Sequence, residues 1–440
     1  MKKHLLSILI TAFLISILTA NPSFAQTSYG FIPHRGCGTM EHKAKEEKAN
    51  PSVRETRKKI EQEAKLYIEN QAKNPGNKKA GTVITIPVVF HVIYNASTPT
   101  ENVSDACIQA QLKVINDDFR KLNADWSNVT QTGWNALVAD CEIEFCLAVR
   151  DPNGNPTNGI TRTVTTAADF DDSDSMKYTA QGGHDVWDRD QYFNIWVCDL
   201  SGGLLGYAQF PGGDAATDGL AIDYQYMIGA QGCGTAPYDK GRTSTHELGH
   251  CFGLYHIWGD DGADCSGTDD VADTPNQSEE HYGCFAAGSV QTDSCSPSAP
   301  GTMWMNYMDY TDDACMYMFT VGQKAVIDAT MNGPRQSLKT STACSPITGV
   351  EYLLVSESVS VYPNPASGDI VTVKLNVPDV VSPSFTLYNT IGETVFSKHL
   401  DRIPNSKEIK LDMTTIPDGI YFLKIQTQNG SITKKIVMNK

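Results

Sequence analysis

Past its first 25 residues the chain lacks any apolar run long enough to cross a bilayer, and it lacks a surplus of basic residues. Of 440 residues, 51 are Asp or Glu and 35 are Lys or Arg, a formal net charge of −16. The shortage of positive charge is local. Residues 26–80 carry 12 Lys and Arg against 7 Asp and Glu (+5), residues 81–354 carry 12 against 36 (−24), and residues 355–440 carry 9 against 8 (+1). A segment at −24 excludes nucleic acid and anionic lipid as partners, and it would attract cationic peptides and calcium. The +5 segment before it reads as a complementary cover. With 40% hydrophobic and 20% charged residues the composition excludes wholesale disorder, and the length allows two or three domains.

What is present divides the chain. Residues 1–25 place Lys2 and Lys3 before the apolar run Leu5–Leu18 and end Ser23-Phe24-Ala25, the pattern of a cleaved secretory signal rather than a membrane anchor, for which the run is short. Export makes the twelve cysteines disulfide formers. Residues 26–80 are polar, with a charged helical stretch over Ser52–Asn70 and the loose ending NPGNKKAG, and read as a propeptide or linker. Cleavage is expected near Lys78-Lys79. In residues 81–340, Val83–Tyr94 is a β-branched buried strand in which His91 is structural. Ser104 caps a helix to about Lys121, with Ile108, Leu112, Ile115 and Phe119 on one face. Glu142–Val149 and Tyr192–Leu200 read as strands. Gly206–Phe210 reads either as an edge strand able to pair with an extended peptide or as a plain hairpin arm. Phe319–Leu338 closes this region as a helix, and residues 341–354 are a linker. Residues 355–440 show short β runs, at Ser358–Tyr362, Ile370–Leu375, Phe385–Tyr388, Ile409–Leu411, Ile420–Ile425 and Ile432–Met438, which make a small β-sandwich.

The chemistry centres on HELGHCFGLYH, His246–His256. His246 and His250 are four apart, so on a helix they lie on one face and can share a metal ion. Glu247 is turned by roughly 100° and can reach a water on that metal as general base. In a continuous helix His256 would point away, about 240° round. Gly253 can adopt the left-handed conformation that ends a helix, which returns His256 as third ligand and leaves one position open. A structural zinc site would close all four positions and would have no use for Glu247. Thr243 or Ser244 is expected to cap this helix. Upstream, Cys37 in Arg35-Gly36-Cys37-Gly38-Thr39 can either displace the catalytic water as a thiolate or enter an ordinary disulfide. Downstream, Asp260–Pro275 (DDGADCSGTDDVADTP) suits either a calcium loop or a merely solvated acidic one.

The extended motif, with GRTSTHELGHCFGLYH, DDVADTP and NYMDY around it, resembles the pappalysin family of the metzincin clan over about residues 80–340. The resemblance implies an α/β (α+β) catalytic domain with a twisted mixed sheet, an active-site helix and a methionine turn. It implies zinc on His246, His250 and His256, with Met308 beneath the metal and Tyr310 helping to hold the transition state. It further implies calcium around Asp269, Asp273 and Thr274, disulfides Cys265–Cys295 and Cys284–Cys315, and Cys37 as a latency ligand. Cys251 departs from the pattern, where a bulky apolar residue is expected, and leaves the pairing of the other thiols open. YPNPASGD, PDGIYFLKI and the terminal KKIVMNK resemble the sorting domain of type IX secretion; on fold alone the sandwich could equally be a carbohydrate-binding or adhesive module. The combined reading is a secreted zymogen zinc endopeptidase acting on proteins or peptides. The rival from another class is a surface-binding protein, catalytically silent, that works through its sandwich, and retention of Glu247 and three histidines argues against it. An amidase on non-peptide substrates stays open within the enzyme class.

Overall fold

The computed structural model describes residues 36–74, 82–345 and 359–440, with short gaps at 132, 230–232, 261, 263–264, 376–379, 382, 401, 404–407 and 428–429. The signal reading, Arg35, Lys78-Lys79 and the later part of the linker lie outside the described residues.

The chain enters as two helices, α1 (Thr39–Ala49) and α2 (Pro51–Lys73). Asn50 accepts a hydrogen bond from Ser52 N and Pro51 takes the first helical position, so the chain restarts as a helix after a sharp turn. Arg57 of α2 is buried against Glu46 and Glu47 of α1, which locks the pair.

The central strand is β1 (Ile84–Asn95), whose β-branched run is buried continuously from Ile86 to Ile93. Burial on both faces is what a parallel strand needs. β2 (Ile143–Leu147) and β3 (Ile160–Thr165) pair parallel with successive halves of β1, and β4 (Phe193–Cys198) pairs parallel with its other side. β6 (Leu220–Asp223) continues parallel, and β5 (Gly206–Ala208) closes the sheet antiparallel at its edge. The sheet is therefore mixed, and Gly206–Ala208 is an edge strand. β3 and β6 escape sequence reading, β3 because its pattern is half exposed and β6 because four residues carry no period.

α3 (Asp105–Phe119) is capped by Ser104, which accepts from Cys107 N, and buries Ile108, Ile115 and Phe119. α4 (Arg242–Cys251) carries the histidine motif, and α5 (Val321–Asn332) starts in a capping box made by Thr320 and Gln323. α5 is shorter than the expected Phe319–Leu338 helix, because Gly333-Pro334 ends it. One apolar core joins Phe90, Ile115, Phe119, Phe145, Phe193, Leu248, Phe252 and Met308, gathering the sheet, α3 and α4. Each such side chain contributes about 1.5–3 kcal/mol on burial. His91 sits between Thr161 and Asn194, and burial pushes its imidazole down to about 3, so it is a neutral structural residue.

Disulfides join Cys107–Cys233, Cys146–Cys344, Cys265–Cys295 and Cys284–Cys315, while Cys37, Cys141, Cys198 and Cys251 are free and buried. No described helix is long and apolar enough to cross a membrane.

The C-terminal region forms two antiparallel sheets. One orders β11 (Thr394–His399), β10 (Ser384–Tyr388), β14 (Gly419–Thr427) and β15 (Gly430–Met438). The other orders β13 (Glu408–Asp412), β8 (Ile370–Leu375) and β7 (Val359–Tyr362), beside a short pair of β9 (Val380–Val381) and β12 (Arg402–Ile403). Inward residues of both sheets, Val371, Val373 and Leu411 against Phe385, Leu423 and Ile436, share one core, which makes a sandwich. β11, whose residues are half exposed or exposed, was not expected from sequence.

Candidate metal centre

α4 starts differently from the sequence expectation. Thr243 and Ser244 lie inside the helix, and the N-cap is Gly241 at φ +79°. The cap comes instead from a distant carboxylate: Asp313 Oδ2 accepts from Lys240 N at 2.9 Å and Arg242 N at 3.1 Å, which no local pattern announces. The helix ends at Cys251, and Gly253 at φ +90° turns the chain back, so that His256 returns to the same point as His246 and His250. Gly249 leaves room for the methionine turn, since a Cβ there would stand 2.4 Å from Met308 Sδ.

The Nε2 atom of His250 lies 3.1 Å from that of His246 and 3.1 Å from that of His256, and Cys37 Sγ lies 3.5 Å from it. All four ligand atoms fall within 4.8 Å of one another and all four residues are buried. Nitrogens at about 2.0–2.1 Å from a tetrahedral zinc stand about 3.3 Å apart, and a sulfur at about 2.3 Å stands about 3.6 Å from each. The three spacings these donors make about His250 are close to those a tetrahedral ion sets. The ring nitrogens behind them are committed: His246 Nδ1 donates to Tyr307 O at 2.7 Å, His250 Nδ1 to Leu254 O at 2.7 Å, and His256 Nδ1 to Asp260 Oδ1 at 2.9 Å. Because those partners only accept, Nδ1 carries the proton and each Nε2 offers a lone pair. Burial, with His256 beside it, pushes His250 well below the usual imidazole range, so it stays neutral. Burial first, and Glu247 second, push the Cys37 thiol well up, so a thiolate here needs a cation next to it.

Glu247 lies beside this group. Its Oε2 accepts from Thr39 Oγ1 at 2.7 Å and is 3.5 Å from Cys37 Sγ. Thr39 Oγ1 in turn accepts from Ala208 N at 2.8 Å, Gly38 N donates to Gly206 O at 3.0 Å, and Leu205 N donates to Gly36 O at 2.8 Å. The amino-terminal segment thus adds a parallel stretch to edge strand β5 and covers both the carboxylate and the histidines. Further ties are His42 Nε2 to Asp174 Oδ2 at 2.8 Å, Lys45 to Asp172 at 2.6 Å, Lys65 to Asp270 at 2.9 Å and Tyr255 OH to Glu61 at 2.7 Å. Thr39 belonged to a motif noticed in sequence, but nothing local told that its hydroxyl would reach Glu247.

The Tyr310 ring lies 5.7 Å from that of His246 and 5.0 Å from that of His256. Burial pushes its phenol well up, which keeps it a hydrogen-bond donor at neutral pH. Met308 is fully buried under α4. Asp269 and Asp273 stand apart from this group. Asp269 accepts from Thr274 Oγ1 at 2.8 Å, while Asp273 accepts from Thr320 Oγ1 at 2.7 Å and Gly322 N at 2.8 Å, holding the start of α5. Burial pushes Asp269 up to about 7. Among the described residues the cysteine–histidine group is the one set of three or more His, Cys, Asp or Glu gathered to hold an ion.

A sheet over a helix bearing two histidines that a third meets from beyond its end, with a carboxylate beside them and a blocking segment across the edge strand, defines a metalloprotease in precursor form. Residues 177–332 match the peptidase family described as pregnancy-associated plasma protein-A, and residues 360–439 match the secretion system C-terminal sorting domain. An extracellular metalloprotease of Pyricularia oryzae is 32% identical over 56% of this chain and 74% of that protein. A Tannerella forsythia promirolysin mutant is 43% identical, with TM-score 0.63, over 70% of this chain and 98% of that one. Mature mirolysin from Tannerella forsythia, in complex with a cleaved peptide, is 47% identical, with TM-score 0.56, over 60% and 97%. The chain belongs to the pappalysin family. It is a zinc metalloendopeptidase made as a zymogen, secreted or held at the cell surface, and its last domain is a type IX sorting domain.

Proposed function

We propose that His246, His250 and His256 hold the catalytic zinc and that Cys37 takes the remaining position until the propeptide, residues 26–80, is removed. The observation that carries this is the convergence of three Nε2 atoms and one sulfur within 4.8 Å of one another, with those about His250 at 3.1–3.5 Å, close to what a tetrahedral ion sets. Zinc, when bound, acidifies a water and polarises the scissile carbonyl. Glu247 takes the proton of the attacking water and passes it to the leaving amine. Tyr310 donates a hydrogen bond to the developing oxyanion. Met308 forms the floor under the histidines, and Gly253 turns His256 into place. The Leu205 N–H just before β5, and the Gly206 C=O and Ala208 N–H within it, which Gly36, Gly38 and Thr39 occupy in the precursor, hold an extended peptide in the mature enzyme.

In the same reading residues 1–25 are the signal, 81–340 the catalytic domain, 341–354 the linker and 355–440 the domain recognised by the type IX machinery. The acidic catalytic domain favours cationic peptides. Calcium binds by Asp269, Asp273 and Thr274, where a cation would offset the burial of a carboxylate whose neighbour is also acidic. Digestion of a peptide library by activated enzyme, read by mass spectrometry, tests the activity. Cleavage that a zinc chelator abolishes and zinc restores is the expected result, and a library left intact by zinc-loaded enzyme would refute it.

A further inference from the structure

The three histidines of the metal group are all held from behind, but not in the same way. His250 and His256 donate to Leu254 and Asp260, each four residues further along, so their own turn of chain supplies the support. His246 donates to the carbonyl of Tyr307, 61 residues away on the methionine turn. Its aim therefore depends on how that turn is fixed to α4.

One carboxylate does the fixing. Asp118, near the end of α3 and fully buried, accepts from Tyr307 OH at 2.9 Å on Oδ1 and from Thr245 Oγ1 at 2.7 Å on Oδ2, with Arg242 Nε 2.8 Å from Oδ2. Thr245 and Arg242 belong to α4, and Thr245 precedes His246. The contacts close a ring: His246 to the Tyr307 carbonyl, the Tyr307 hydroxyl to Asp118, and Asp118 to Thr245 beside His246. Arg242 is itself held by the carbonyl of Met316 at 2.6 Å, and its guanidinium lies over the Tyr307 ring at 5.4 Å. Burial pushes Asp118 up to about 6 against the pull of Arg242, which leaves it ionised at neutral pH, able to accept from the two hydroxyls and to pair with the Arg242 charge.

We propose that Asp118 is a positioning residue for the metal centre, setting the orientation of His246 through Tyr307 without touching metal or substrate. Partners behind a ligating histidine are worth about ten- to a hundredfold in metal affinity. A carboxylate two hydrogen bonds removed from the imidazole, which ties the turn to the helix, falls within that range.

The test uses enzyme activated from the full-length precursor. Zinc affinity is measured by competition with a chelating dye, the visible spectrum of the Co(II)-substituted form is recorded, and the melting temperature of the metal-free form is taken alongside. Tyr307→Phe removes only the hydroxyl and keeps the carbonyl. It should weaken zinc about tenfold and shift the cobalt bands, and Asp118→Asn should do the same or more. Asp125→Asn, which also loses an Arg242 contact but lies outside the ring, should stay within about twofold of wild type, the usual reach of a partly exposed pair. Tyr307→Phe decides the matter even if Asp118→Asn does not fold. Wild-type affinity and an unshifted spectrum in Tyr307→Phe would overturn the inference. So would an equal loss in Asp125→Asn, which would mark a general loosening. The inference rests on the zinc reading above, and wild type that fails to compete for zinc would overturn that reading instead.

Discussion

In the proposed function the precursor is held silent by two contacts at the reacting groups, and they can be separated. Cys37 closes the metal group, while Thr39 places its hydroxyl 2.7 Å from Glu247 Oε2 and accepts from Ala208 N at 2.8 Å. Cys37→Ala removes the sulfur and leaves Thr39 on the general base. A hydrogen bond to a buried charged group contributes about 1.5–3 kcal/mol, and about 1.4 kcal/mol is a factor of ten. The Thr39 contact alone should therefore hold activity down by about ten- to a hundredfold. Cys37→Ala precursor, kept intact and verified by mass, should hydrolyse a fluorogenic peptide at about 1–10% of the activated rate. Adding Thr39→Ala should raise this about tenfold or more, while Thr39→Ala alone should stay near zero because the sulfur remains. Fully active wild-type precursor would refute the latency reading. A single Cys37→Ala variant as active as mature enzyme would show that Thr39 contributes nothing.

Glu247→Ala should keep zinc and lose about two to four orders of magnitude in turnover, measured as bound zinc per mole and peptide hydrolysis; a variant that keeps normal rates defeats the base assignment. Tyr310→Phe should lower kcat while leaving KM nearly unchanged, since the contact forms only as the oxyanion develops; a rise in KM alone would reassign it to substrate binding. Asp269, raised to about 7 when buried, has a folded-state value above its unfolded one. Its contribution is present below about pH 4 and is lost as pH rises towards 7, so calcium-free protein should melt lower at pH 8 than at pH 5. Calcium at a hundred times its dissociation constant should restore about 2.7 kcal/mol at the higher pH; identical melting curves with and without calcium, zinc being retained, would show a solvated loop.

The residues that carry chemistry were legible because their spacing is a local matter. Two histidines four apart must share a helical face, and a glycine three residues on can turn the chain, so the meeting of three histidines beside Glu247 follows from HELGHCFGLYH alone. The long strand β1, the capped α3, the helical amino-terminal segment and the β texture of the last domain were legible for the same reason: each has a period or a cap within its own residues. What tertiary structure decided is whatever depends on groups distant in the chain. The cap of α4 is Asp313 rather than Thr243 or Ser244. Cys107 meets Cys233 and Cys146 meets Cys344, while Cys251 remains a buried free thiol. Glu247 is covered by Thr39, 208 residues before it. Asp118 left a trace in sequence, a carboxylate three residues after Ile115 and so on the buried face of a largely apolar stripe. An acid there must find donors, because burying it unpaired is costly. Only the folding of α3, α4 and the methionine turn onto one core supplied Tyr307 and Thr245 as those donors, with the Arg242 charge beside them.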